Sequence, residues 1–121
     1  MLNFRFLLVS SLCLAIISCK NDDQEQRKLI VGTWDVYASE MNGNANGMMK
    51  DAYFVFAADN SVKSNTLSEN ESSPYSVHNG QLEIKGIENF NMKIIKLTPD
   101  TLWLKGELSH YNMKFFMSKR R

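Results

Sequence analysis

From residue 31 onward the chain is punctuated at intervals of about ten residues by turn chemistry, and between the turns apolar and polar side chains alternate. A side-chain period of two belongs to half-buried strands, and strands at this spacing build an all-β sandwich or barrel. Eight are expected, over 31–39, 51–58, 61–67, 74–78, 81–86, 91–97, 101–107 and 110–118. Asn79-Gly80 suits a type I′ hairpin turn, because both residues tolerate positive φ. Asp59-Asn60 is a second tight turn, and Thr98-Pro99-Asp100-Thr101 fits a type I turn with Pro99 presetting φ. Consecutive tight turns favour an up-and-down meander, and closing it into a barrel removes the exposed strand edges.

The alternation assigns an inner face. Tyr111, Met113, Phe115 and Met117 share one side of the last strand, Leu82 and Ile84 one side of the fifth, and Phe54 and Phe56 one side of the second. Leu102 and Leu104 point inward and leave Trp103 outside, with Phe116 also on an outer face. The sixth strand reads two ways: Met92 and Ile94 compete with Ile95 and Leu97, and a bulge would let both pairs contribute. Residues 23–30 suit one or two helical turns, with Asp22 as the cap.

The N-terminus reads as an address. Arg5 precedes an apolar run over residues 6–17, which ends at Ser18, Cys19 and a polar stretch from Lys20. A cationic start, an apolar core and a small residue before a cut form a secretory signal, and the run is too short to span a bilayer. Ile16-Ile17-Ser18-Cys19 resembles the lipobox of bacterial lipoproteins. That resemblance implies cleavage after residue 18, a diacylglyceryl thioether on Cys19 and a further acyl chain such as palmitate. Two or more chains anchor stably where one does not. The other cysteine, Cys13, would leave with the signal, so the exported domain carries no disulfide. The expected organisation is a signal peptide over 1–18, a lipidated cysteine and polar tether over 19–28, and a barrel over 29–121. The acidic start of the tether, Asn21-Asp22-Asp23, is similar to signals that carry some lipoproteins to the outer surface. The expected location is therefore the cell envelope, at the outer membrane and facing outward.

Leu29-Ile30-Val31-Gly32-Thr33-Trp34 places Gly-x-Trp at the start of the first strand. With Phe56-x-x-Asp59-Asn60-x-Val62 and the segment 97–102, it resembles the small lipocalin-like domains of bacterial lipoproteins. The resemblance implies an eight-stranded up-and-down antiparallel barrel. Trp34 would lie across its closed end, and Gly32 would let the chain pass close by. The family's arginine over the tryptophan has Lys119, Arg120 or Arg121 as its counterpart here.

The lipocalin-like reading makes the connection over 40–50 cross the open end, with Met41, Met48 and Met49 as a soft apolar underside suited to adaptable contact. Phe54, Phe56, Tyr75, Tyr111, Met113 and Phe115, with Met48 and Met49, are the candidate lining for a small apolar ligand such as a lipid. The competing reading is a barrel filled solid by these side chains, acting as a scaffold that presents its loops and Trp103 to an envelope protein. No catalytic motif occurs, and neither His78 nor His110 has partners at metal-ligand spacing, so no enzyme, metal or cofactor is expected. Lys and Arg number 14 against 13 Asp and Glu, and losing Arg5 makes the mature chain formally neutral, which removes the compositional case for nucleic acid.

Overall fold

The computed structural model describes residues 17–67 and 71–121. The leader over 1–16, including Ile16 of the lipobox, lies outside the described residues, and only the backbone is described at Cys19. Among the described residues one helix, α1 (Ile17–Ile30), precedes nine strands: β1 (Gly32–Met41), β2 (Asn44–Ala45), β3 (Tyr53–Phe56), β4 (Ser61–Ser64), β5 (Ser73–His78), β6 (Gln81–Ile84), β7 (Phe90–Leu97), β8 (Thr101–Leu108) and β9 (Tyr111–Lys119). Every pairing is antiparallel. Strands β3 to β9 follow one another as a meander, and β1 pairs with β3 on one side and β9 on the other, closing an eight-stranded barrel. The two-residue β2 is an extra hairpin on the far half of β1, where Glu40 and Met41 face Ala45 and Asn44.

The inner face is a continuous apolar cluster. Trp34, Phe54, Phe56, Val62, Leu82, Ile84, Met92, Leu102, Leu104, Phe115 and Met117 are all buried. Their alternation with exposed neighbours is the period of two seen in the sequence. Phe54 stacks on Phe56, and Tyr75 meets Phe56 edge-on with ring centres 4.9 Å apart. These contacts fill the middle of the barrel with aromatic carbon.

Two bulges interrupt the alternation, and both put an apolar residue outside. In β7 the register slips between Ile94 and Lys96, so Ile95 is the extra residue. Met92 and Ile94 point inward, Ile95 is exposed, and Leu97 returns to face Leu102. The bulge thus settles the ambiguity of this strand: three of the four candidates contribute inward. In β1 the slip falls between Val36 and Ala38, leaving Tyr37 outside and turning Ser39 inward.

Several expectations need correction. The N-terminal segment is a helix of 14 residues, not a short turn, so Asp22 lies inside it and does not cap it. Residues 19–28, read as a tether, are therefore helical. Gln, Glu, Arg and Lys favour that state, and Arg27 and Lys28 complement the dipole in the last turn. The helix is also held by the barrel: Asp23 accepts from the Asn79 amide at 3.1 Å and contacts His78 Nδ1 at 3.2 Å, and Arg27 Nε donates to the Val77 carbonyl. The last strand starts at Tyr111, because Ser109 and His110 both take positive φ and make the turn. Tyr111 stands at the rim and is 46% exposed, not inside the barrel.

The end where α1 enters is closed. Trp34 is fully buried, and its Nε1 donates to the Ile30 carbonyl at 2.8 Å. Lys119 lies 5.5 Å from the centre of the indole and reaches the Leu29 carbonyl, so it takes the place of the stacking cation. Gly32 has φ +137°, and a Cβ there would sit 2.5 Å from Lys119 Cε. Arg120 completes the closure, pairing with Asp35 and lying over the Tyr53 ring. Gly32→Ala should displace Lys119 from the indole and cost about 1–3 kcal/mol, measured by urea unfolding.

The hydrogen bond from Arg120 holds the Asp35 carboxyl below the usual carboxylate range. Asp35 therefore contributes stability above the ordinary carboxylate pKa, and loses it as pH falls through the lowered one. Asp35→Asn should lower the urea midpoint at neutral pH and match the wild type once pH is below that range. The pair is exposed, so the effect should be small.

Candidate functional site

At the end opposite Trp34, the barrel opens between the β1–β3 connection and the β8–β9 turn. The connection is a built hairpin. Asn42 and Gly43 take the positive φ of a tight turn, and β2 folds back onto β1. The buried Ser39 hydroxyl donates to the Asn46 carbonyl at 2.6 Å, and the Asn46 amide returns a bond to the Ser39 carbonyl at 2.9 Å. Asn46 Oδ1 accepts from the Met48 amide at 2.7 Å, and further turns close from Lys50 to Gly47 and from Ala52 to Met49. The β1 bulge makes this possible, because it is what points Ser39 inward.

This hairpin holds Met41, Met48 and Met49 over the mouth. With Leu108, Tyr111, Met113 and Phe115 they line a cleft of about 220 Å³. Phe115 and Met113 form its buried floor, while Met48 and Tyr111 are 69% and 46% exposed at its lip. Four of the chain's seven methionines meet here, at positions 41, 48, 49 and 113. Thioether side chains are flexible and polarizable, so such a cleft adjusts to apolar shapes. Its volume is below that of a pocket enclosing a drug-sized ligand, so it suits a single alkyl chain or a molecule of that size.

The structure brings together five of the eight expected lining residues: Met48, Met49, Tyr111, Met113 and Phe115. Phe54, Phe56 and Tyr75 lie elsewhere, packed against one another in the barrel core. Tyr75 donates its hydroxyl to the Ala57 carbonyl at 2.8 Å, and burial, with the charge of Asp59, pushes its phenol above the ordinary range. It is a satisfied core tyrosine. Met41 and Leu108 complete the cleft although only Met41 stood out in the sequence. Leu108 is placed there by the Ser109-His110 turn, which carries neither glycine nor asparagine and so gave no turn signal.

His78 contacts Asp23 on α1, and His110 sits exposed in its turn. Among the described residues no three His, Cys, Asp or Glu side chains assemble as a metal set. Among them also, no helix is long and apolar enough to cross a membrane.

A closed meander barrel, plugged at one end by a Gly-x-Trp strand and open at a methionine-lined mouth, is the architecture of a lipocalin-like domain. The profile of the lipocalin-like domain family matches residues 30–104, and the chain belongs to that family. A lipocalin-like protein from Bacteroides uniformis ATCC 8492, known from its crystal structure, superposes with a TM-score of 0.57. It is 16% identical, and the match covers 76% of this chain and 99% of that one, so the likeness is one of fold. No curated protein matches the chain. The fold is compatible with binding a small ligand.

Ser39→Ala should remove the bond that seats the β1–β2 hairpin and cost about 1 kcal/mol. Amide exchange should quicken over 44–50 more than in β5 and β6, as read by hydrogen-exchange mass spectrometry.

Proposed function

We propose that this domain is a non-catalytic binding protein for a small apolar molecule, such as a lipid chain. The ligand is held at the barrel mouth, on a chain exported to the cell envelope and anchored through Cys19. The observation that carries the reading is the chemistry of the open end. Met41, Met48, Met49 and Leu108 surround a cleft whose floor is Met113 and Phe115. Larger grooves on the molecule have polar or charged linings, such as the 330 Å³ groove along Glu83, Lys85 and Glu88. Apolar ligands gain little there, whereas each methylene buried in the mouth is worth roughly 0.8 kcal/mol.

The filled interior narrows the binding mode. With Phe54, Phe56, Leu82, Leu102 and Leu104 all buried, a ligand enters the lip of the barrel and not its middle. The same packing supports a second reading, a solid barrel that presents its loops to a protein partner in the envelope. The lipobox resemblance at Ile16-Ile17-Ser18-Cys19 supports the anchoring, and the acidic residues after it support an outward-facing outer-membrane location.

Methionine-methyl NMR separates the two readings. On titration with 1-octanol, the methyls of Met41, Met48, Met49 and Met113 should shift together while those of Met92 and Met117 stay still. Leu108→Asn should weaken the response. Unmoved methyls, or a uniform drift of all of them, would sink the ligand reading and leave the scaffold.

A further inference from the structure

The outer wall made by β7, β8, β9 and the far half of β1 differs from the rest of the barrel. Cross-strand register sets Lys93 opposite Lys105, Lys105 opposite Lys114, and Lys114 opposite Glu40. Three lysines thus stand side by side on three neighbouring strands. Like charges directly opposite in a sheet destabilise it. The only carboxylate within that row is Glu40 at its end, with Glu107 two residues from Lys105 on the same face, and neither the Asp35–Arg120 ion pair nor the Asp23–His78 contact involves these lysines. A groove of about 490 Å³ runs over Lys105 and Lys114, with Asn42 and Asn112 beside them.

The next row is aromatic. Lys96 faces Trp103, Trp103 faces Phe116, and Phe116 faces Ala38. Trp103 and Phe116 meet edge-on at 5.3 Å, Lys96 Nζ lies 4.7 Å from the indole centre, and Trp103 Nε1 donates to the Tyr37 hydroxyl at 3.0 Å. The two bulges then place Tyr37 and Ile95 on this wall, 60% and 45% exposed. Each bulge spends its extra residue on an outward apolar side chain. The opposite wall, on β5 and β6, shows Ser76, His78, Gln81 and Glu83 instead.

We propose that this wall lies against the surface of an anionic phospholipid bilayer. The four lysines meet headgroup phosphates, and Trp103, Tyr37, Phe116 and Ile95 enter the interface. Amphipathic aromatics favour that depth, and each lysine near an anionic surface favours binding about fivefold. Charge explains why the lysine row persists despite its mutual repulsion: the partner supplies the missing anions. α1 packs on β5 and β7, and Asp23, four residues after Cys19, is bonded to the β5–β6 turn. A lipid on Cys19, which rests on the anchoring reading, would keep the barrel near a bilayer without choosing the wall that faces it; the charge and aromatic pattern makes that choice.

The test uses the full chain on vesicles of phosphatidylcholine, with or without phosphatidylglycerol, brominated in the acyl chains. Trp34 is buried, so quenching reports Trp103, and Trp103→Phe gives the baseline. Quenching should appear on the anionic vesicles, fade with added salt, and fall to the baseline in K93Q/K105Q/K114Q. That variant relieves repulsion, so its melting temperature should hold or rise; if it fails to fold, K105Q alone should lower the partition coefficient onto the anionic vesicles about fivefold. Quenching that ignores lipid charge, ignores these variants or never appears would overturn the proposal. So would a dimer in sedimentation with Trp103 unquenched, which would mark the wall as a contact between copies. The mass of the mature chain reports lipidation of Cys19 separately, so failure of the anchor and failure of the wall are distinguishable.

Discussion

The indole of Trp34 is where the two ends of the chain meet. Its N–H is taken by the Ile30 carbonyl at the end of α1, and its face is covered by Lys119 at the end of β9. One side chain therefore ties the helix, the first strand and the last strand into the same plug. Barrel closure depends on that tie, because β1 must pair with β9 along most of its length to leave no free edge. The glycine two residues earlier is the backbone counterpart: it takes a positive φ and leaves room for the lysine stem to cross. With the closed end secured this way, the opposite end is free to carry loops and a cleft.

The two bulges divide the barrel into an interior, a mouth and a distinctive wall. In β1 the slip at Tyr37 reverses the phase of the strand, so that Ser39 points inward to seat the hairpin and Tyr37 is left outside. In β7 the slip at Ile95 recovers Leu97 for the core and leaves an isoleucine in solvent. A strict period of two would have put one set of these residues on the wrong face for the whole strand. The same local irregularity therefore serves core packing, the architecture of the mouth and the composition of the outer wall.

Much of the barrel was legible because burial in a sheet has a simple period. Leu82 and Ile84, Leu102 and Leu104, and Met113, Phe115 and Met117 were assigned inward by alternation and are buried. Asn79-Gly80 was legible because few dipeptides accept two positive φ angles, and both are positive here. The site was only partly legible. Aromatic residues read as lining are as apolar as core residues, and nothing local separates Phe54 in the middle of the barrel from Phe115 at its mouth. Leu108 was missed because its position depends on a Ser-His turn with no turn signature, and β2 was missed because a two-residue strand carries no period.

By itself, the sequence determined the eight strands of the barrel wall, most of their inward faces and the Asn79-Gly80 turn. These follow from local chemistry: side-chain period and turn propensity. Tertiary structure alone decided which cation covers Trp34, which methionines share the mouth, and that Lys93, Lys105 and Lys114 stand in one row. Those facts depend on register between strands distant in the chain. Register is set by the whole closed barrel and by where its bulges fall, and no short window of residues contains it.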